Sequence, residues 1–169
     1  MGLRFLFRRV SLFVFGIGAV GGVCLAPETP REPGIAERGR LADRYIHEKL
    51  PQWQRRLKLE DWKICILSVH PTDLRAHTLG NIHWDENKKT AVIRVLNASD
   101  YHMPIRATLN DQEFTIVHEL IHLEMVSLPR SEASRSDEEH AINHLADALL
   151  EFERKEGPAD PVPSLSVGN

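Results

Sequence analysis

The sequence is poor in cysteine and has no excess of basic charge, and each lack excludes a class of protein. Only one of its 2 cysteines, Cys65, lies beyond residue 26, so a fold held by a disulfide framework is excluded. Residues 1–26 contain three of the 21 basic residues and none of the 24 acidic ones. The remainder carries 18 basic against 24 acidic residues, a net charge of −6. This sign is wrong for a protein that binds nucleic acid or an anionic membrane surface.

Residues 1–26 have the pattern of an export signal. Three arginines form a basic front, and residues 10–26 are apolar and carry no charge. This run is short for a membrane-spanning helix, which needs roughly 20 residues, but it is normal for the core of a signal peptide. We therefore predict an exported protein whose folded part lies in the periplasm or elsewhere outside the cytoplasm.

Two alternatives to a cleaved signal stay open. Ala26 is a small residue suited to a cleavage site, but Pro27 is a poor residue after one. A retained anchor that tethers the domain to the membrane is therefore the first alternative. A lipoprotein attached at Cys24 is less favoured, because Val23 is bulky where a small residue is expected.

Beyond the signal we predict a linker, one domain and a tail. The proline-rich residues 27–34 predict the linker, and the Pro- and Ser-rich residues 157–169 predict a disordered tail. Residues 35–156 are predicted to form a single α+β domain. About 120 residues are enough to bury one modest core.

Apolar spacing predicts the first elements of this domain. A helix is expected from about residue 35 to 57, broken or bent near Pro51. Three strands follow, predicted from the apolar runs DWKICILSV (61–69), LGNIHWD (79–85) and TAVIRVL (90–96).

Two helices are predicted to complete the domain. Asn110, followed three residues later by Glu113, is a candidate capping box for a helix over about 111–129. Ser136, also followed three residues later by a glutamate, is a candidate capping box for a helix over about 137–155.

The first of these helices contains His-Glu-Leu-Ile-His at 118–122. His118 and His122 are four residues apart, so a helix places both imidazoles on one face, where they can hold a single Zn²⁺. Glu119 lies on a neighbouring side, where it can act as a general base on a water without being a ligand. Both histidines also fall on the apolar face of the helix, and buried polar side chains need partners. A metal ion is the simplest partner for both, and the alternative is a pair of core histidines bonded to carboxylates or backbone.

Such a site needs a third protein ligand. A third histidine six residues after the motif is absent, because Leu128 stands there. The following helix offers two glutamates, Glu138 and Glu139. Its predicted apolar face consists of Ala141, Ile142, Leu145, Ala146, Leu149 and Phe152. Glu138 lies near the centre of that face and Glu139 on its flank, so periodicity slightly favours Glu138.

A second histidine pair, His140 and His144, has the same spacing of four residues. The pair projects opposite the predicted apolar face and lacks the intervening glutamate of the first motif. We interpret it as part of a solvated helix surface.

Together these motifs resemble a known family. FTIVHELIHL followed by EEHAINHLADALL is similar to the small zincin domain of ImmA/IrrE-type metallopeptidases and related bacterial and phage domains. There a helix of the form E-x-x-x-N-x-[FL]-A-x-x-L-L follows the zinc helix. In this sequence the pattern falls on Glu139, Asn143, Leu145, Ala146, Leu149 and Leu150. The resemblance implies a Zn²⁺ cofactor held by His118, His122 and Glu139.

The resemblance also implies a fold and an activity. The fold is a minimal zincin-like α+β domain, with an N-terminal helix, a sheet of about three strands, the zinc helix and a C-terminal helix. An edge strand of the sheet aligns an extended peptide by strand addition, and TAVIRVL (90–96) is our candidate for it. Peptide bonds are hydrolysed by metal-activated water with Glu119 as the general base. Tyr101, His102 and His83 are candidates for stabilising the oxyanion, although no motif identifies them.

We therefore expect a monomeric zinc metallopeptidase that acts on a peptide or protein substrate and not on nucleic acid. ImmA-type proteins act on cytoplasmic repressors, and the export signal means that this substrate class does not transfer. The alternatives are a non-catalytic zinc-binding scaffold and an extracytoplasmic metal-binding protein. The intact Glu119 argues against both, because a site that only binds metal does not need it.

Overall fold

The computed structural model describes residues 31–128 and 135–156. The predicted signal, most of the linker and the predicted tail lie outside these ranges and remain predictions. Within the ranges, no helix combines the length and the hydrophobicity that a membrane span requires.

The described residues form three helices and one three-stranded sheet, which confirms the predicted α+β class. Two short 3₁₀ turns, Pro71–Asp73 and Ala98–Asp100, connect some of these elements. The elements in chain order are α1 (Ile35–Arg56), β1 (Lys63–Val69), β2 (Gly80–Asp85), β3 (Thr90–Leu96), α2 (Ile105–Glu124) and α3 (Arg135–Glu156).

The strand order is β1-β3-β2, with β3 parallel to β1 and antiparallel to β2. The three strands fall where the apolar runs predicted them. The interpretation of residues 90–96 as the edge strand is wrong, because β3 is the central strand. Its Ile93 and Val95 are fully buried and alternate with half-buried residues, so one face of this strand lies in the core.

The helix α1 confirms the predicted N-terminal helix. It runs through Pro51 without interruption, so the predicted break is absent. Trp53 and Ile46 on this helix are buried in the main hydrophobic core.

The helix α2 begins earlier than predicted, and its capping box is wrong. Ile105 is its first residue, and the backbone N–H of Ile105 donates to Glu32 Oε2 at 3.0 Å. Glu113 lies inside the helix and is buried. Its carboxylate accepts hydrogen bonds from Trp53 Nε1 at 2.9 Å and from Tyr45 Oη at 2.6 Å. Glu113 therefore joins α2 to α1.

Two further boundaries also differ from the prediction. The helix α2 ends at Glu124, before the predicted end at Pro129. The helix α3 begins at Arg135, so Ser136 lies in its first turn and not at the capping position. The second capping box is therefore wrong as well.

The hydrophobic core lies between the sheet and α2. The helix α2 also contacts α1 and α3, and it is therefore buried on most sides. The largest fully buried side chains in this core include Trp53, Ile93, Ile116, Leu120, Leu123 and Ile142.

The buried face of α3 differs from the predicted one. Ile142, Ala146 and Leu150 are at most 2% exposed, whereas Leu145 is 50% and Phe152 57% exposed. At 100° per residue, this moves the centre of the buried face by roughly 70°, from Glu138 towards Glu139. Apolar residues form two stripes on α3, and spacing alone does not separate them.

Candidate metal centre

His118 and His122 lie side by side on α2, and both side chains are largely buried. Their Nε2 atoms are 3.1 Å apart. The neighbours Val117 and Ile121 are buried in the core, as predicted. The histidines themselves lie beside this face and not on it, because they belong to the half-buried side of α2 that lines the cleft.

Glu139 on α3 completes a group of three potential ligands. Its Oε2 lies 3.4 Å from His118 Nε2, and its Oε1 lies 3.5 Å from His122 Nε2. Each of the three residues offers one ligand atom, and these atoms all lie within 4.8 Å of one another. The group His118, His122 and Glu139 can hold a metal ion.

Glu138 lies on the other side of His122. Its Oε1 is 3.7 Å from Nδ1 of His122, the ring nitrogen that does not face Glu139. A carboxylate at Nδ1 orients a ligating imidazole and does not compete for the metal. The geometry therefore favours Glu139 as the ligand, against the preference that periodicity gave to Glu138.

Asn143 sets the orientation of the other imidazole. Its Oδ1 lies 3.0 Å from His118 Nδ1. An amide oxygen only accepts hydrogen bonds, so this contact places the imidazole proton on Nδ1. The lone pair of Nε2 is then directed at His122 and Glu139, as a metal ligand requires.

Glu119 is buried on the wall beside this group and has a perturbed pKa. Burial raises the pKa of its carboxyl to about 7, and the negative charge of Glu139 contributes in the same direction. Glu119 is therefore a carboxyl group that can both take up and release a proton near neutral pH.

Gly80 on β2 passes close to Glu119. A Cβ at this position would lie 2.4 Å from Thr115 Cγ2, 2.9 Å from the backbone oxygen of Arg94 and 3.5 Å from Glu119 Oε1. Only glycine lets the strand approach α2 this closely. Nothing in the local sequence pattern indicated this role.

A cleft of about 910 Å³ opens over the group. Residues 77–84, which comprise most of β2 and the loop before it, form one wall. One face of α2 and the start of α3 form the other. Arg75 and His77 lie at this cleft and were not predicted, because they belong to a loop without a motif.

Only one of the three residues predicted as candidates for stabilising the oxyanion lies at the cleft. His83 lines the cleft, whereas Tyr101 and His102 are not among its lining residues. Tyr101 is buried and donates a hydrogen bond to Asp111 Oδ2 at 2.8 Å. Burial, supported by the Asp111 carboxylate, raises the pKa of the Tyr101 hydroxyl far above its usual range.

His140 and His144 lie on the exposed side of α3, with ring centroids 4.2 Å apart. This confirms their interpretation as part of a solvated surface.

The fold and the site together define a small α+β domain with a potential three-residue metal site in a cleft. No protein-family model, no curated protein and no solved structure matches the chain. The geometry of this site is therefore the basis for inferring a function.

Proposed function

We propose that this chain is a zinc-dependent metallopeptidase that hydrolyses peptide bonds. One observation carries the proposal: the buried Glu119 lies beside the group His118, His122 and Glu139, on the wall of a cleft bordered by an edge strand. A ligand group, a neighbouring carboxylate and room for a substrate are the parts that metal-assisted hydrolysis requires.

The ligand set supports zinc as the metal. Zn²⁺ favours imidazole nitrogen and carboxylate oxygen in a tetrahedral arrangement, with two His and one Glu as a recurrent catalytic set. Ligand atoms about 2.0–2.1 Å from a tetrahedral ion lie roughly 3.3–3.4 Å from one another. The two imidazole Nε2 atoms are 3.1 Å apart, close to that spacing. The Glu139 carboxylate faces both of them, with Oε2 3.4 Å from His118 Nε2 and Oε1 3.5 Å from His122 Nε2.

The residues of the chain then have distinct tasks. When bound, Zn²⁺ supplies a Lewis acid that polarises the scissile carbonyl and lowers the pKa of a water molecule. Glu119 accepts the proton of the attacking water and passes it to the leaving amine. Asn143 holds the imidazole of His118 in its ligating tautomer, and burial of Glu119 keeps its carboxylate from being solvated by bulk water.

The substrate strand adds to β2 in this proposal, and not to β3. The N–H of Leu96 donates to the carbonyl of Leu79 at 2.8 Å. In an antiparallel pair the direction of these groups alternates along the strand, so Ile82 directs its N–H and C=O away from β3. An extended peptide in the cleft can pair with these groups while its side chains contact the walls of the cleft.

The central test compares the full chain with Glu119→Gln. Zinc content is measured by mass spectrometry, and cleavage is measured with an unstructured protein substrate. We expect about one zinc per chain in both proteins and cleavage only by the parent. Glu124→Gln is the matched control. Glu124 is an exposed residue of the same helix, so this variant should cleave the substrate like the parent.

The outcomes separate the alternatives. Equal cleavage by the parent and Glu119→Gln would contradict the general-base role. Zinc retention without cleavage of any substrate would favour the non-catalytic scaffold, and failure to retain zinc after dialysis would contradict the metal centre itself.

A further inference from the structure

The helix α3 carries a second apolar stripe that faces away from the core. It consists of Ala141, Leu145, Ala148 and Phe152, all of them exposed. We call these four residues the α3 stripe. The successive intervals of four, three and four residues are those of a coiled-coil seam, in which side chains of one helix meet a facing helix.

The α3 stripe alternates small and large side chains in a way that is complementary to itself. In an antiparallel pair of identical helices, Ala141 lies opposite Phe152 of the second copy, and Leu145 lies opposite Ala148 of the second copy. Each large side chain then meets a small one. A parallel pair would instead place Phe152 against Phe152 and leave a gap between the alanines, so the pattern selects the antiparallel arrangement.

The charges beside the stripe favour the same arrangement. Asp137 and Lys155 are 18 residues apart, which is five helical turns, so they lie on the same flank of α3. The twofold axis of an antiparallel pair places Asp137 opposite Lys155 of the second copy at both ends. In a parallel pair Asp137 and Lys155 of the two copies would lie about 27 Å apart along the helices, so they would not meet.

We propose that the α3 stripe is the interface of a twofold-symmetric homodimer with antiparallel α3 helices. This replaces the expectation of a monomer. A membrane is disfavoured as the occupant, because α3 carries seven acidic and only three basic residues. The inference does not depend on the proposed enzymatic activity.

The dimer has a consequence for the metal centre. Glu139 and Asn143 lie on the same helix as the α3 stripe, but face the cleft. Dimerisation would hold α3 in place and leave the potential metal ligands uncovered. The interface comprises few residues, so we expect a weak dimer at the low end of stable interface areas, with a dissociation constant in the micromolar range.

Sedimentation velocity of the full chain, between about 1 and 100 µM, tests the dimer. A nonionic detergent is included, because residues 10–26 are apolar. Leu145→Glu should raise the dissociation constant at least tenfold. Leu67→Glu is the matched control, because Leu67 is an exposed leucine on β1, and it should not change the constant.

Charge reversal and cross-linking test the antiparallel register. Asp137→Lys and Lys155→Asp should each weaken the dimer, and the double variant should restore it. With both native cysteines replaced by serine, a mixture of Ala141→Cys and Phe152→Cys chains should form a disulfide between copies. Ala141→Cys alone should not, since the two copies of residue 141 lie about 16 Å apart along the helix.

Several results would overturn the proposal. A parent that is monomeric at every concentration would do so. A chain that dimerises only after removal of residues 157–169 would also do so, because the tail would then be what covers the α3 stripe. Association that survives Leu145→Glu would place the interface elsewhere. Self-linking of Ala141→Cys would show a parallel pair.

Discussion

Asn143 Oδ1 lies 3.0 Å from Nδ1 of His118, so α3 supplies both a potential metal ligand and the acceptor that fixes the tautomer of another. The two helices of the site are therefore joined by a hydrogen bond that does not involve a metal. Such a contact orients a ligand before the metal arrives, and losing it lowers metal affinity even though no ligand is removed.

Replacing Asn143 by alanine should therefore weaken zinc binding. We expect the affinity to fall about 10- to 100-fold, because His118 loses the partner that sets its tautomer. Asn143→Asp keeps an acceptor and should recover most of the affinity. Competition with a chromophoric chelator measures both, and His144→Ala on the exposed side of α3 serves as the control. Equal affinity in Asn143→Ala and the parent would contradict the orienting role.

The two adjacent glutamates should differ in their effect on the metal. Glu139→Ala removes one of three ligands, and we expect zinc affinity to fall by more than a hundredfold. Glu138→Ala removes only a group beside His122 Nδ1, and we expect at most a tenfold loss. Zinc titration monitored by calorimetry distinguishes the two. A larger loss in Glu138→Ala would return the ligand role to Glu138.

The perturbed carboxyl group makes a prediction for the stability of the metal-free protein. The pKa of Glu119 is about 7 in the folded chain, against 4.5 for an ordinary glutamate. Between these values the folded state keeps a proton that the unfolded state has lost. The contribution of Glu119 to the free energy of unfolding therefore falls as pH rises from about 4.5 to 7, by up to about 3 kcal/mol.

Urea denaturation with a chelator present, at several pH values, measures this dependence. Glu119→Gln does not titrate and should show a flatter profile over the same window. Glu124→Gln, at an exposed position of the same helix, should keep the slope of the parent. Equal slopes in the parent and Glu119→Gln would contradict the assignment.

Proline substitution tests whether β2 pairs with the substrate. Ile82→Pro removes an N–H that is directed away from β3, and an edge strand tolerates this. We expect the protein to stay folded and lose cleavage of extended substrates. His83→Pro removes an N–H directed at β3 and should destabilise the sheet. Circular dichroism and the cleavage assay separate the two effects, and full activity in Ile82→Pro would exclude strand addition at β2.

The sequence predicted most elements of this fold because their patterns are local. The strands follow from apolar runs bounded by polar residues, and the histidine pair follows from a spacing of one helical turn. Helix starts were less predictable. The start of α2 depends on Glu32, which is far away in the sequence and accepts from the N–H of Ile105.

The relation between elements was harder to predict than the elements themselves. An apolar strand such as residues 90–96 has the same sequence pattern at the centre of a small sheet as at a buried edge, so its position depends on the pairing of other strands. Leu145 and Phe152 are as apolar as Ile142, and only the packing of α3 on α2 shows which of them are buried. Apolar spacing favoured Glu138 for this reason, and only the resemblance to the zincin domain pointed to Glu139.

The buried carboxylate of Glu113 limits how far the chain can be shortened. Both of its hydrogen-bond donors, Trp53 Nε1 and Tyr45 Oη, belong to α1, and Lys49 Nζ of the same helix lies 3.7 Å from its Oε1. A fragment that begins at the first strand would lose these partners together with Trp53 and Ile46 of the main core, and the apolar surface that these side chains cover would be exposed to water. The helix α1 is thus needed for folding, although it contributes none of the cleft's lining.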